Sequence, residues 1–234
     1  MKKEAIILAG GFGTRLRHVV SDVPKPMAPI KGRPFLEILI DYLASFGYNR
    51  IILSTGYMHE KVESHFGNRY KDIEIGYARE TTPLGTGGGI LNALQQCQTD
   101  TVTVLNGDTM FKVDYAQLEK FHSQHLSPLS VILRQVEDTS RYGSVSIDSS
   151  NRISSFAEKS DSKGKGWING GIYRIEKRLF EGFALGESFS FEKDIMQSRY
   201  QDQTFYAFPS SAYFIDIGVP EDYARAQEEL SDSK

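Results

Sequence analysis

Cysteine is nearly absent: Cys97 is the single one in 234 residues. An internal disulfide and a cysteine-based zinc site are therefore excluded, and the usage fits a reducing compartment. Long hydrophobic runs are also missing. The apolar stretch 4–9 stops at Gly10 and Gly11, too short for a signal peptide or a membrane span. The expectation is a soluble cytoplasmic protein. There is no excess of positive charge, with 27 Lys and Arg against 30 Asp and Glu, a net charge of −3. Such a balance argues against nucleic acid or a membrane surface as partner. A protein of this balance that handles anions has to concentrate its positive charge locally. No Pro/Gly/Ser-rich linker and no internal repeat divides the chain, which reads as one domain over 1–230 with a short tail at 231–234.

What is present is ordinary globular composition, 40% hydrophobic and 24% charged, arranged in alternating periodicities. Residues 4–9 read as a strand covered on both faces. Phe35, Ile38, Leu39, Tyr42, Leu43 and Phe46 mark one face of a helix over 34–46, with Pro34 near its start and Gly47 at its end. Strands are expected at 51–53, 73–77 and 102–105, and helices at 59–66, 87–97 and 114–125. This β-α-β-α order predicts an α/β fold: a Rossmann-like, mixed but mainly parallel sheet with helices on both faces and a ligand crevice at the strand C-termini. The second part is richer in strands, at 129–135, 143–147, 152–157, 168–175, 204–208 and 213–217. It is expected to complete the same sheet and cover the substrate. Helices are predicted at 176–182, 191–200 and from Pro220 onward.

Three motifs carry chemistry. The loop Leu8-Ala9-Gly10-Gly11-Phe12-Gly13-Thr14-Arg15-Leu16 can bring backbone N–H groups close to phosphate oxygens, and Arg15 adds a fork of donors. A tight strand-to-helix turn with a solvated arginine would read the same way. Lys25 stands between Pro24 and Pro26, which fix φ, hold the segment extended and present the lysine stiffly. Asp108 follows the strand 102–105 in Asn106-Gly107-Asp108, at the usual crevice of such a sheet. His122 and His125 are spaced for a metal, but a surface helix face explains them better. Cys97 reads as a small apolar filler.

The run Leu-Ala-Gly-Gly-x-Gly-Thr-Arg-Leu followed by Pro-Lys-Pro-Met resembles the signature of the sugar-phosphate nucleotidyltransferase family, and matching elements continue in the family's order over nearly the whole chain. Such enzymes join a nucleoside triphosphate to a sugar 1-phosphate and release pyrophosphate, on the nucleotide-diphospho-sugar transferase fold. The resemblance implies a nucleotide-binding part over about 1–115 and a sugar-binding part over about 116–230. It makes Arg15, Lys25 and Asp108 catalytic. It assigns Leu8, Ala9, Gly10, Gly11, Gly13, Thr14 and Asn106 to the nucleotide, together with Glu80, Pro83, Gly85 and Thr86 of the run Glu80-Thr81-Thr82-Pro83-Leu84-Gly85-Thr86-Gly87-Gly88. It assigns Tyr142, Gly143, Glu158, Lys159 and Asn169 to the sugar phosphate. Asp216, in Ile215-Asp216-Ile217-Gly218-Val219-Pro220, matches the family's second metal ligand beside Asp108, and the implied cofactor is Mg²⁺. Val219 departs from the family's threonine there, which removes a hydroxyl but leaves Asp216 in place. Within the family the pattern resembles the guanylyltransferases of D-glycero-α-D-manno-heptose 1-phosphate. That would make GTP the donor and a GDP-heptose for a surface polysaccharide the product. Mannose 1-phosphate as acceptor, a uridylyl or thymidylyl transfer to another hexose phosphate, and a non-catalytic nucleotide-sugar sensor are the alternatives. Homo-oligomerisation is left open.

Overall fold

The computed structural model describes residues 2–230 apart from Phe12, Thr14, Arg15, Arg17, 140–142, 158–163 and Phe183. In chain order the elements are β1 (Glu4–Leu8), β2 (Pro29–Ile30), β3 (Arg33–Pro34), α1 (Phe35–Ser45), β4 (Arg50–Thr55), α2 (His59–Phe66), β5 (Arg69–Tyr70), β6 (Ile73–Arg79), α3 (Gly85–Leu94), β7 (Thr101–Asn106), β8 (Thr109–Phe111) and α4 (Tyr115–Gln124). There follow β9 (Leu129–Val136), β10 (Ser144–Ile147), β11 (Ile153–Ala157), β12 (Gly166–Glu176), β13 (Tyr206–Ser210), β14 (Phe214–Asp216) and α5 (Pro220–Glu229).

A ten-stranded sheet in the order β11-β10-β12-β7-β1-β4-β6-β5 organises the molecule, with β9 and β13 attached through β12. Its centre, β7-β1-β4-β6, is parallel. Strand β12 enters antiparallel to β7, where Tyr173 faces Val104, and ties the second half of the chain to the first. The expected mixed, mainly parallel sheet is what forms. Period-two alternation explains why helices cover both faces. Ala5, Ile7, Ile51, Leu53 and Leu105 enter one core with Phe35, Leu39 and Leu43 of α1 and Val62 of α2. Ile6, Ile52, Val102 and Val104 enter the other, with Ile90 and Ala93 of α3 and Phe191 and Ile195.

Several local expectations change. Residues 213–217 do not extend the large sheet. β14 pairs antiparallel with β8 in a separate two-stranded sheet, Asp216 opposite Thr109. The helix expected at 176–182 is a single 3₁₀ turn, Lys177–Phe180, and that at 191–200 opens as a π-helical segment, Phe191–Gln197. His122 is not on a surface face: it is 5% exposed, and its Nδ1 lies 2.9 Å from the Ser130 hydroxyl of β9. Tyr115, Leu118 and His122 share the buried face of α4 at i, i+3 and i+7, a spacing that competes with the polar reading. Burial, with Arg174 nearby, pulls the His122 imidazole from 6.5 down to about 4. Cys97 is buried as expected, and burial pushes its thiol up to about 12. Among the described residues no helix is long and apolar enough to cross a membrane.

Candidate active site

The parallel strands deliver three loops to one end of the sheet. The first follows β1. Gly13 holds φ +58°, and a Cβ there would stand 2.8 Å from the Lys25 Cβ, so both its backbone and its neighbour require glycine. Gly11 has open space beside it and borders both cavities described below. Ala9 is buried and its N–H donates to Ser54 O at 2.8 Å, which ties the start of the loop to β4. Thr14 and Arg15 lie outside the described residues.

Lys25 is held differently from the expected extended segment. Pro24 is extended, but Lys25–Met27 is one 3₁₀ turn closed by Met27 N–H donating to Pro24 O at 2.7 Å. Pro26 and Met27 are buried, so the turn is nailed down from beneath and the lysine aims across the loop. Its Nζ lies 2.5 Å from Asp108 Oδ2 and 3.7 Å from Asp216 Oδ1. Asp108 arrives from the end of β7 and Asp216 from the end of β14, and the β8–β14 ladder joins them. Ile217 N–H donates to Asp108 O at 2.9 Å, Thr109 Oγ1 to Asp108 Oδ1 at 3.1 Å, and Gly218 N–H to Asp216 Oδ1 at 2.7 Å. One ammonium thus faces two oriented carboxylates, with side-chain exposures of 31% and 42%. Hard oxygen donors in this state of exposure fit Mg²⁺. Among the described residues no cluster of three or more His, Cys, Asp or Glu could hold a metal, so two aspartates would need phosphate oxygens to complete the shell.

Two cavities meet at this point. The smaller, about 230 Å³, is bordered by Gly11, Gly13, Lys25, Pro26, Asp108 and Gly218. The larger, about 820 Å³, shares Leu8, Gly11 and Asp108 with it and extends between the loops after β4 and β6, past Tyr57, Arg79, Glu80, Pro83, Thr86 and Asn106. The volumes suit a phosphate-bearing end and a body of nucleotide size. Glu80 serves its own loop: Ser54 Oγ donates to Oε1 at 3.0 Å and Leu84 N–H to Oε2 at 3.1 Å. Gly87 and Gly88 spend their N–H groups on Phe189 O, at 3.0 and 3.4 Å. Gly85 borders the larger cavity.

On the expected sugar side, Tyr142, Glu158 and Lys159 lie outside the described residues. Neither Gly143 nor Asn169 borders the two cavities. Asn169 shapes β12 locally. Its Nδ2 donates to the Tyr173 hydroxyl at 2.7 Å and its Oδ1 accepts from Gly171 N–H at 2.9 Å, where the pairing register of β12 with β9 shifts. Gly171, at φ +72°, leaves room for Asn106, whose Nδ2 a Cβ would approach to 2.6 Å. Tyr57, His59 and Arg79 border the larger cavity and escaped the motif reading. Tyr57 and Arg79 stand just after or at a parallel strand's C-terminal end, the one signal that marks them. Arg79 pairs with Glu63 of α2, and that hydrogen bond holds the Glu63 carboxyl below the usual range.

Fold and cavity together define an α/β enzyme that handles a phosphate-bearing nucleotide. The chain belongs to the nucleotidyl transferase family, whose model matches residues 4–233. It is 47% identical to a D-glycero-alpha-D-manno-heptose 1-phosphate guanylyltransferase of Aneurinibacillus thermoaerophilus, over 97% of this chain and 98% of that one. It is 35% identical to a mannose-1-phosphate guanylyltransferase of Mycobacterium tuberculosis, over 97% of this chain but 64% of that one. The crystal structure of HddC from Yersinia pseudotuberculosis complexed with GMP-PN superposes with a TM-score of 0.85 at 39% identity, covering 98% of this chain and 100% of that one.

Proposed function

We propose that this protein transfers GMP from GTP to D-glycero-α-D-manno-heptose 1-phosphate, releasing pyrophosphate. The observation that carries the reaction is the convergence of Lys25, Asp108 and Asp216 where the two cavities join. The two substrates are supported by the heptose 1-phosphate guanylyltransferase that matches this chain almost end to end.

The larger cavity takes guanosine, and the smaller takes phosphates. An oxygen of the sugar phosphate attacks the α-phosphorus and pyrophosphate departs in line, so no covalent enzyme intermediate is required. The work of the protein is alignment and neutralisation of crowded anions. Lys25 neutralises charge on the departing pyrophosphate, and Arg15 is assigned to the same task by the family resemblance. Glu158 and Lys159 are assigned on the same basis to the sugar hydroxyls and the attacking phosphate. Asp108 and Asp216 would hold Mg²⁺. That ion would supply Lewis-acid neutralisation of the phosphate charge. The chain acts as one domain in the cytoplasm. A nucleotide-sugar sensor would have no use for an intact lysine and both aspartates.

The test is a pyrophosphate-release screen of four nucleoside triphosphates against a panel of sugar 1-phosphates, with and without a chelator. GTP with the heptose phosphate should be the best pair, and chelation should stop it. Turnover with mannose 1-phosphate in its place, the activity named for the longer 35% relative, would replace the acceptor and keep the reaction.

A further inference from the structure

Glu192 is a carboxylate that no substrate assignment uses, and it stands between the two halves of the sheet. It is half-buried in the first turn of Phe191–Gln197, where Ser190 caps the segment by accepting from Lys193 N–H at 3.2 Å. Its oxygens face different elements. Oε2 accepts from the hydroxyls of Thr86 at 2.6 Å and Ser190 at 3.0 Å, while Oε1 accepts from the Tyr173 hydroxyl at 3.4 Å. The Thr86 hydroxyl in turn accepts from Phe191 N–H at 2.9 Å, and the Tyr173 hydroxyl accepts from Asn169 Nδ2. The backbone runs alongside: Phe189 N–H donates to Leu84 O at 3.0 Å, and Phe189 O accepts from Gly87 N–H. One hydrogen-bonded path therefore leads from Thr86, on the larger cavity, through Glu192 to Asn169 and Gly171 of β12.

We infer that Glu192 is a positioning residue that locks the sugar-side strand β12 to the nucleotide loop 84–88, so that filling one stiffens the other. The inference rests on the assignment of Asn169, in β12, to the sugar phosphate. A carboxylate suits the place because it accepts from three hydroxyls at once. An amide offers one oxygen, and its NH₂ would meet hydroxyls that already receive Phe191 N–H and Asn169 Nδ2.

Hydrogen exchange on the ligand-free protein reads the lock directly. Glu192→Gln should accelerate exchange at both 84–88 and 169–173 on the order of tenfold, the scale of one hydrogen bond to a charged group, while β4 and β6 hold. Thr86→Val should loosen the same two segments. Acceleration confined to 190–194 would overturn the inference and leave Glu192 a helix cap. In turnover, Glu192→Gln should raise KM for the sugar 1-phosphate and for GTP by similar factors, each up to roughly tenfold, and adding Tyr173→Phe should cost little more, since the two act on one path. An unchanged KM, or two effects that add in full, would equally overturn it. A wild type that prefers another nucleotide and sugar would sink the substrate assignment, and the exchange arm would still decide the role of Glu192.

Discussion

The same parallel strands carry a charged cluster at each end, and the two are built oppositely. At the start of β1 and β4, Glu4 and Arg50 face each other in register. Glu4 is 1% exposed and accepts from Arg50 Nη1 at 2.6 Å, Gln98 N–H at 2.7 Å and Thr99 N–H at 2.5 Å. Burial opposes its charge, yet Arg50 and those N–H groups hold the carboxyl below its usual range. Arg50 spends further donors on Glu74 and on Gln96 O. At the far end, Lys25 faces two carboxylates that stay partly open to water. The first cluster is closed on itself and ties strands together. The second keeps its oxygens accessible, which leaves it available to a ligand.

The contrast can be broken from either side. Glu4→Leu leaves Arg50 with Glu74 and Gln96 O alone and strips the Gln98 and Thr99 N–H groups of their acceptor, which should lower unfolding free energy by about 3–5 kcal/mol in denaturant titration, while kcat of the folded fraction stays as it was. Lys25→Ala and Asp108→Asn should do the reverse, each losing on the order of 10²-fold or more in kcat, comparable to losing an oxyanion donor. Their melting temperatures should stay near wild type, and a near-normal rate in pyrophosphate release would remove these residues from the site. Gly171→Ala tests the wall between the two parts. Its left-handed φ costs about 1–2 kcal/mol for any side chain, and the new Cβ pushes Asn106, so KM for the nucleotide should rise alongside the stability loss.

The smallest effect concerns acid. His122 titrates at about 4 in the fold and 6.5 when unfolded. The unfolded chain therefore binds the proton first, and stability falls as pH drops through that window, by roughly 1.5 kcal/mol between pH 6.5 and 5. Unfolding curves at those two values should show this loss in wild type and not in His122→Leu.

How far the sequence revealed this molecule depended on range. β1, α1, α2 and β7 announced themselves through local periodicity, the glycine loop and Asp108 through short motifs at strand ends, and Lys25 through its flanking prolines. β8 and β14 did not pair on paper, because three residues such as Thr109-Met110-Phe111 carry no period and their partner is remote in sequence. Glu192 was silent for the same reason. It reads as one more surface acid until Thr86 and Tyr173 are folded beside it. His122 misled because its polarity outweighed the i, i+3, i+7 spacing that placed it on the apolar face of α4.

The β8–β14 ladder also sets a schedule. Asp108 is synthesised about a hundred residues before Asp216, which at roughly 5–20 residues per second is a wait on the order of 5–20 s. Until β14 is made and pairs, the growing chain lacks half of its acidic pair, and the core beside β1, β4 and β7 still lacks Ile215, Ile217, Tyr223, Ala226 and Leu230. The same last segment therefore closes both the core and the acidic pair, so folding and competence are reached together.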